Sequence, residues 1–226
     1  MLKNEYMIPQ TLLPFLKDLS KHNQKEWMDQ NRKWYESNKN EFELLVAQLI
    51  VNIAHFDSSI SELTAKQCTF RINRDIRFSK NKDPYKTNFA AYFNPYGKQK
   101  MGAGYYLHIE PNNCFLAGGI WMPETSELSK IRQEIDYNLN EWQLIVENKN
   151  ILKSFASIHE NEKTARPPKG YLADNPAIEF LKLKSIILQK KFTDTEAQKP
   201  DFIKDVLKHF KMLTPLITFI NRAVEG

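Results

Sequence analysis

Cysteine is almost absent from this chain of 226 residues, with Cys68 and Cys114 the two that occur. The spacings that build metal sites are missing as well: there is no CxxC, HxxxH or HExxH. No metal and no cofactor is expected. In a reducing compartment the two thiols are expected to stay free and half-buried in strands. A catalytic thiol needs an exposed, electropositive setting, and Cys68, close to Arg71, is the one that approaches it. The commoner reading of such a residue is a small core hydrophobe.

Long apolar runs are missing too. The longest, residues 44–54, is broken by Gln48 and Asn52 and falls short of the roughly 20 residues needed to cross a bilayer. The opening residues, MLKNEY, carry no apolar stretch of the kind a secretory leader needs. The expectation is a cytoplasmic protein without membrane association. Internal repeats and low-complexity linkers are not found either, so one α+β domain over residues 1–226 is the simplest reading. It divides into a helical part at 11–56, a β-rich part at 67–121 and a mostly helical part at 124–224. Hydrophobic residues make up 42% of the chain and charged residues 26%, ordinary for a folded domain of this length with a sizeable core.

Periodicity supplies the elements. Tyr35, Phe42, Leu45, Leu49, Ile53 and Phe56 recur at helical spacing and form one stripe. Trp27, Trp34 and Tyr35 fit a helix core better than an aromatic ligand box. Thr11 is placed to cap a first helix, and Asn140 a later one bearing Trp142. Thr214-Pro215 is expected to kink or restart the last helix. Five of the seven glycines lie between residues 97 and 119, among aromatic and β-branched runs. Strands are expected near 67–73, 87–93, 104–110 and 114–121, with Pro111-Asn112-Asn113 turning the last pair into a hairpin. A fifth, at 185–192, carries Lys190 and Lys191 and suits an edge. The fold class is α+β, with a mainly antiparallel central sheet of about five strands and helices before and after it. The run 87–93, apolar on both faces, suits a central strand.

Arginine is the scarcest cation, 7 against 25 lysines, yet three of the seven sit at positions 71, 74 and 77. Residues 71–87 hold six cations against two acids, an excess of four in a chain of net charge +5. Where lysine serves elsewhere, clustered arginine points to a need for its planar five-donor fork, which matches carboxylate or phosphate. A straight strand would drive Arg74 into an apolar face, so a bulge or break near Asn73, Arg74 and Asp75 is expected.

The run Arg71, Arg74, Asp75, Arg77, Phe78, Ser79, Lys80, Lys82, Pro84, Tyr85, Lys86 and Thr87 resembles the pattern R-x-x-R-D-x-R-F-S-K-D-K-x-P-Y-K-T of the domain of unknown function 2461 family. Further resemblance lies at Asn23 and Trp27, at Tyr106-Leu107-His108, at Leu128 with Arg132, and at Pro168 with Gly170. The chain departs at Asn81, where the family has Asp, and at Met28, where an aromatic follows Trp27. What the resemblance implies is a single α+β domain; no activity comes with it.

Three readings of the segment compete. In one, its arginines pair with Asp75, Asp83, Glu110 or helix carboxylates and brace the fold. In the second, Arg71, Arg74, Arg77, Lys82, Tyr85 and Lys86 bind the phosphate or carboxylate of a small molecule in a concave site where at least two of the arginines converge. Asp75 is then the first candidate base and His108, on a strand face with Tyr106 and Glu110, the second. In the third, the cations meet nucleic-acid phosphates and Phe78 or Tyr85 meets bases. No nucleic-acid-binding module is legible, which ranks this reading below a small anionic partner. Neither an enzymatic reaction nor an oligomeric state is specified by these residues.

Overall fold

The computed structural model describes residues 7–97 and 102–226. The first six residues, read above for a leader, lie outside the described residues. Helices α1 (Leu12–Lys21), α2 (Lys25–Gln30), α3 (Arg32–Ala54) and the short α4 (Ala65–Cys68) precede the sheet. Strands β1 (Phe89–Phe93), β2 (Gly104–Ile109) and β3 (Cys114–Ile120) follow as a meander. Next come α5 (Thr125–Tyr137), α6 (Leu139–Val146), α7 (Lys149–Ser154), α8 (Ile178–Leu181), strand β4 (Ile186–Phe192), α9 (Asp194–Ala197) and α10 (Phe202–Glu225). Among the described residues no helix is long and apolar enough to cross a membrane.

The sheet has four strands in the order β1-β2-β3-β4, every pair antiparallel. It is one strand short of the number expected, and the missing one is the stretch 67–73. Gln67 and Cys68 belong instead to α4, where the Gln67 side-chain oxygen accepts from the Thr64 backbone N–H at 2.8 Å, a capping box that starts a helical turn. Beyond it the chain makes two isolated bridges, Thr69 opposite Ala91 and Asn73 opposite Tyr85. Pro84, which has no N–H to give, sits where a regular ladder would need one. This irregular strip covers the outer side of β1, so β1 is a sheet edge in hydrogen-bond order rather than the central strand expected. The other edge is β4, and Lys191 there is exposed.

One face of the sheet carries Ala91, Phe93, Tyr105, Leu107 and Leu116, all fully buried. The stripe of α3 (Phe42, Leu45, Leu49 and Ile53) and that of α10 (Val206, Phe210, Leu213 and Ile217) close over it. Phe210 lies 5.2 Å from the Tyr105 ring and Phe42 packs edge-on to Phe89. Gly118 is what lets α10 come so near: a Cβ there would stand 2.7 Å from Leu213 Cδ1. Trp27, Trp34 and Tyr35 pack around Phe15, as core rather than as a ligand box.

Some expected helix ends shift. The Thr11 hydroxyl donates to Asn38 Oδ1 instead of capping α1. Helix α6 begins one residue before Asn140, after Asn138. Helix α10 runs unbroken through Pro215, whose side is exposed while the residues packing on the sheet keep their register. Neither cysteine forms a disulfide and both are buried, Cys114 in β3 but Cys68 at the end of α4. Burial pushes the Cys114 thiol up to about 11, which keeps it protonated and unreactive.

Candidate functional site

The basic segment is fastened to the rest of the fold at Tyr85. Asn23 acts as a surrogate peptide there: its Nδ2 donates to the Tyr85 carbonyl oxygen and its Oδ1 accepts from the Tyr85 N–H, both at 3.0 Å. The Tyr85 side chain is buried. Beyond the bridge between Asn73 and Tyr85 the chain loops out through residues 75–83, and the loop braces itself. Arg74 Nη1 donates to the Asp83 carbonyl at 3.0 Å and its Nη2 to Ser79 Oγ at 3.3 Å. Lys82 Nζ donates to the Ile76 carbonyl. Arg77 forms a two-pronged pair with Asp75, at 3.0 and 2.7 Å, in the open. That pair, with a smaller contribution from Arg71, holds the Asp75 carboxyl below its ordinary range, so Asp75 has little affinity for a proton. Phe78 stands at the tip, 96% exposed.

The three arginines thus meet different fates. Arg74 and Arg77 are occupied within their own loop. Arg71 lines a cavity of about 370 Å³ on the other side, together with Lys39, Lys66, Glu43 and Tyr35. Lys86 turns back over the ring of Phe70, its Nζ 5.4 Å from the centroid.

A larger hollow, about 620 Å³, opens on the second face of the sheet. Strand register explains its shape. Gly104 pairs with Gly119, so two adjacent strands present no side chain at the same level. Next along, Tyr106 stands between Tyr92 and Ala117, with Gln189 beyond. The glycines are required by close backbone approach: a Cβ at Gly104 would fall 2.3 Å from the Phe93 carbonyl oxygen, and Gly119 has φ +127°. Phe70, Tyr92, Tyr106, Phe115, Trp121 and Ile187 wall the hollow, so it is mainly aromatic. Trp121 is 71% exposed at its rim. Tyr92 is pinned by donating its hydroxyl to the Gly102 carbonyl.

At one end of this face lies a half-buried polar chain built on Tyr106 and His108 of β2 and on Glu110 just past its end. His108 Nε2 is 3.2 Å from Glu110 Oε2, and His108 Nδ1 is 2.9 Å from the Tyr106 hydroxyl and 3.0 Å from Asn88 Nδ2. An ionised carboxylate accepts and cannot donate, so Nε2 carries the proton and Nδ1 accepts. Burial lowers the affinity of His108 for a second proton, and Glu110 offsets this only in part. The ring is therefore neutral at pH 7 and lies stacked 4.6 Å from Phe115. For Glu110, burial opposes ionisation, but hydrogen bonds from Thr87 at 2.5 Å, Asn113 at 2.8 Å and His108 outweigh it and hold the carboxyl below its ordinary value. Burial pushes the Tyr106 phenol up to about 12, so it keeps its proton and donates it to His108.

Of the candidates read from the sequence, His108 is brought together with Tyr106 and Glu110, and Thr87 at the end of the basic segment joins them. Asp75, Arg77 and Lys82 stay in the outer loop. Sequence reasoning missed Asn88, Tyr92, Phe115 and Trp121. Strand alternation was available as a signal for each, but which residues stand side by side depends on cross-strand register. Arg132 is structural: its guanidinium donates to the carbonyls of Leu181 and Leu183 at the end of α8.

The family model for a conserved hypothetical protein, DUF2461, matches residues 11–219, and the chain belongs to that family. No curated protein and no solved structure matches it.

Proposed function

We propose that this member of the family binds a flat, largely apolar small molecule that carries a carboxylate or phosphate, in the hollow on the second face of its sheet. The observation that carries the reading is Phe70. It belongs to the basic strip, forms a wall of the aromatic hollow and bears Lys86 on its ring. The ligand's flat body lies on the floor left by Gly104 and Gly119, between Tyr106, Phe115 and Trp121. Its anionic group points to the Phe70 end, toward Lys86. A concave site of this size with aromatic walls and few polar groups is what small ligands use, and aromatic faces supply stacking at little entropic cost.

A bracing role has support for part of the motif. Arg74 ties its loop together and Arg77 is matched by Asp75, which supports a structural role for those two. Arg71, which lines a cavity, and Lys86, which lies over the ring of Phe70, are the motif cations suited to a ligand.

Naphthoate and its uncharged analogue naphthylmethanol test the proposal, followed by calorimetry and by Trp121 fluorescence with Trp121→Phe as control. Naphthoate is expected to bind at least tenfold more tightly than the alcohol. Lys86→Met should erase that difference. Ala117→Leu, which fills the floor, should remove binding of both. Binding of naphthoate that survives Ala117→Leu would overturn the site.

A further inference from the structure

The polar chain that begins on β2 points one way. Glu110, fixed by Thr87 and Asn113, accepts the Nε2–H of His108, and His108 Nδ1 accepts the Tyr106 hydroxyl hydrogen at 2.9 Å. From Tyr106 to Glu110, each hydrogen is directed away from the hollow. Tyr106 is the link that lines the hollow, and among the described residues nothing donates to its phenol oxygen. We propose that this oxygen accepts a hydrogen bond from a hydroxyl on the ligand's flat ring, and that Tyr106, His108 and Glu110 relay that hydroxyl's proton. The inference rests on the hollow being the ligand site. It adds the chemical class of the ligand, a phenol or enol.

A donor on the ligand fits this end of the hollow better than an acceptor. A donor adds a bond to Tyr106 and breaks none, whereas an acceptor must first draw the hydroxyl hydrogen away from His108. The chain behind the phenol oxygen also makes it a better acceptor, because bonds in a directed series polarise one another. Other polar groups of the wall are engaged: Tyr92 donates its hydroxyl to the Gly102 carbonyl, and the Asn161 amide donates to the carbonyls of Ile158 and Ile187. Gln189 stands in the same row as Tyr106 but two strands away, past Ala117. An aromatic or enolic hydroxyl suits the position better than an aliphatic one. It is the stronger donor, and it lies in the plane of a ring held between Tyr106 and Phe115.

The proton moves in two linked transfers. The ligand O–H bond breaks as its hydrogen passes to the Tyr106 oxygen, and the hydrogen of Tyr106 passes to His108 Nδ1. Tyr106 ends neutral, the ligand oxygen keeps the electron pair of its broken bond, and the new imidazolium is matched by ionised Glu110. Asn88, whose Nδ2 lies 3.0 Å from Nδ1, turns its amide to offer oxygen to the Nδ1–H so formed. Burial keeps the proton affinity of His108 below its ordinary value, so the proton of a resting phenol is not retained there. The relay acts as a base when a reaction draws electron density from the ligand oxygen and makes its hydroxyl more acidic.

Naphthol and its methyl ether test the proposal on the full chain, since both are flat and uncharged and only the first donates a hydrogen. By equilibrium dialysis, naphthol is expected to bind about threefold more tightly or better, an advantage that should vanish in Tyr106→Phe. The wild-type comparison needs no variant, so it decides the matter even if Tyr106→Phe does not fold. Light makes the naphthol hydroxyl a strong acid. Excited beyond the absorption of tryptophan, bound naphthol should emit in its long-wavelength naphtholate band. His108→Gln leaves an acceptor for Tyr106 but no basic nitrogen, and should lose that band by a larger factor than it loses affinity. Naphthol bound no more tightly than its methyl ether would overturn the hydroxyl site, and naphtholate emission unchanged in His108→Gln would overturn the relay. Naphthoate binding that persists beside either result would leave the hollow standing. Binding of no aromatic ligand at all would overturn the hollow and the relay together.

Discussion

The outer loop at residues 75–83 and the second face of the sheet are built on opposite plans. The loop is rich in charge and solvent, and Arg74, Arg77 and Lys82 are spent on neighbours in the chain: Arg74 on Asp83 and Ser79, Arg77 on Asp75, Lys82 on Ile76. On the sheet face a carboxylate and an imidazole, Glu110 and His108, are 25% and 11% exposed, and their contacts join residues from 87 to 113. Charge is cheap where water can replace a partner, and expensive where it cannot. Density of charge therefore marks the loop in the sequence, while the costlier polar groups mark the face in the structure.

The largest expected effect comes from removing the acceptor at the centre of the polar chain. Glu110→Ala leaves the Thr87 hydroxyl, the Asn113 amide and the His108 Nε2–H without their shared partner. Losing such a partner costs about 1–3 kcal/mol, the lower end applying where water can reach the gap. Urea unfolding should show a clear fall in midpoint with an unchanged slope. A midpoint within error of the wild type would remove the contrast between loop and face.

Acid sharpens the same contrast. His108 has a folded-state proton affinity below its ordinary pKa of 6.5, because burial disfavours its charge. Its contribution to stability is therefore complete above about 6.5 and is lost as pH falls through the lower, folded value. Glu110, also lowered, adds a second loss below its ordinary 4.5. His209 on α10 is lowered by burial as well, so His108→Gln should reduce the slope of stability between pH 7 and 5 without abolishing it. An unchanged slope would mean that the imidazole titrates freely.

Much of the fold was legible because it rests on local rules. The stripes of α3 and α10 follow from spacing, and the hairpin at 111–113 from its turn residues, with Asn112 in the left-handed region at φ 61°. The first strand was misread because Gln67 and Thr64 form a capping box, and a four-residue turn of helix leaves almost no periodic trace. Of the site, the alternation of Tyr106, His108 and Glu110 could be seen, since it lies on one short run of β2 and the residue after it. The hollow could not, because the pairing of Gly104 with Gly119 and the arrival of Phe70 beside them depend on contacts between segments distant in the chain.

A smaller effect is expected where the loop is tied. One ammonium cannot replace the fork by which Arg74 reaches both the Asp83 carbonyl and Ser79 Oγ. Arg74→Lys should leave the thermal midpoint near that of the wild type and speed tryptic cleavage within residues 75–83 several-fold. Unaltered cleavage would show that the Asn23 clamp at Tyr85 is sufficient to hold the loop.

The smallest effect is expected at the most conspicuous ion pair. Arg77 and Asp75 meet with good geometry, yet their side chains are 76% and 47% exposed. Water solvates each of them almost as well as the partner does, and salt screens what attraction remains. Phe78 beside them is 96% exposed even with the Arg77 guanidinium 5.9 Å from its ring centroid, so a change of loop conformation uncovers little apolar surface. Arg77→Lys and Arg77→Ala should accordingly leave the thermal midpoint and naphthoate binding at wild-type values. The measurement is worth making because Arg77 belongs to the same dense run as Arg71 and Lys86. A several-fold loss of naphthoate binding in Arg77→Ala, with folding intact, would mean that the loop reaches over the hollow when a ligand is present. Its charge would then serve recognition, and the division between a self-contained loop and a ligand-binding face would have to be abandoned.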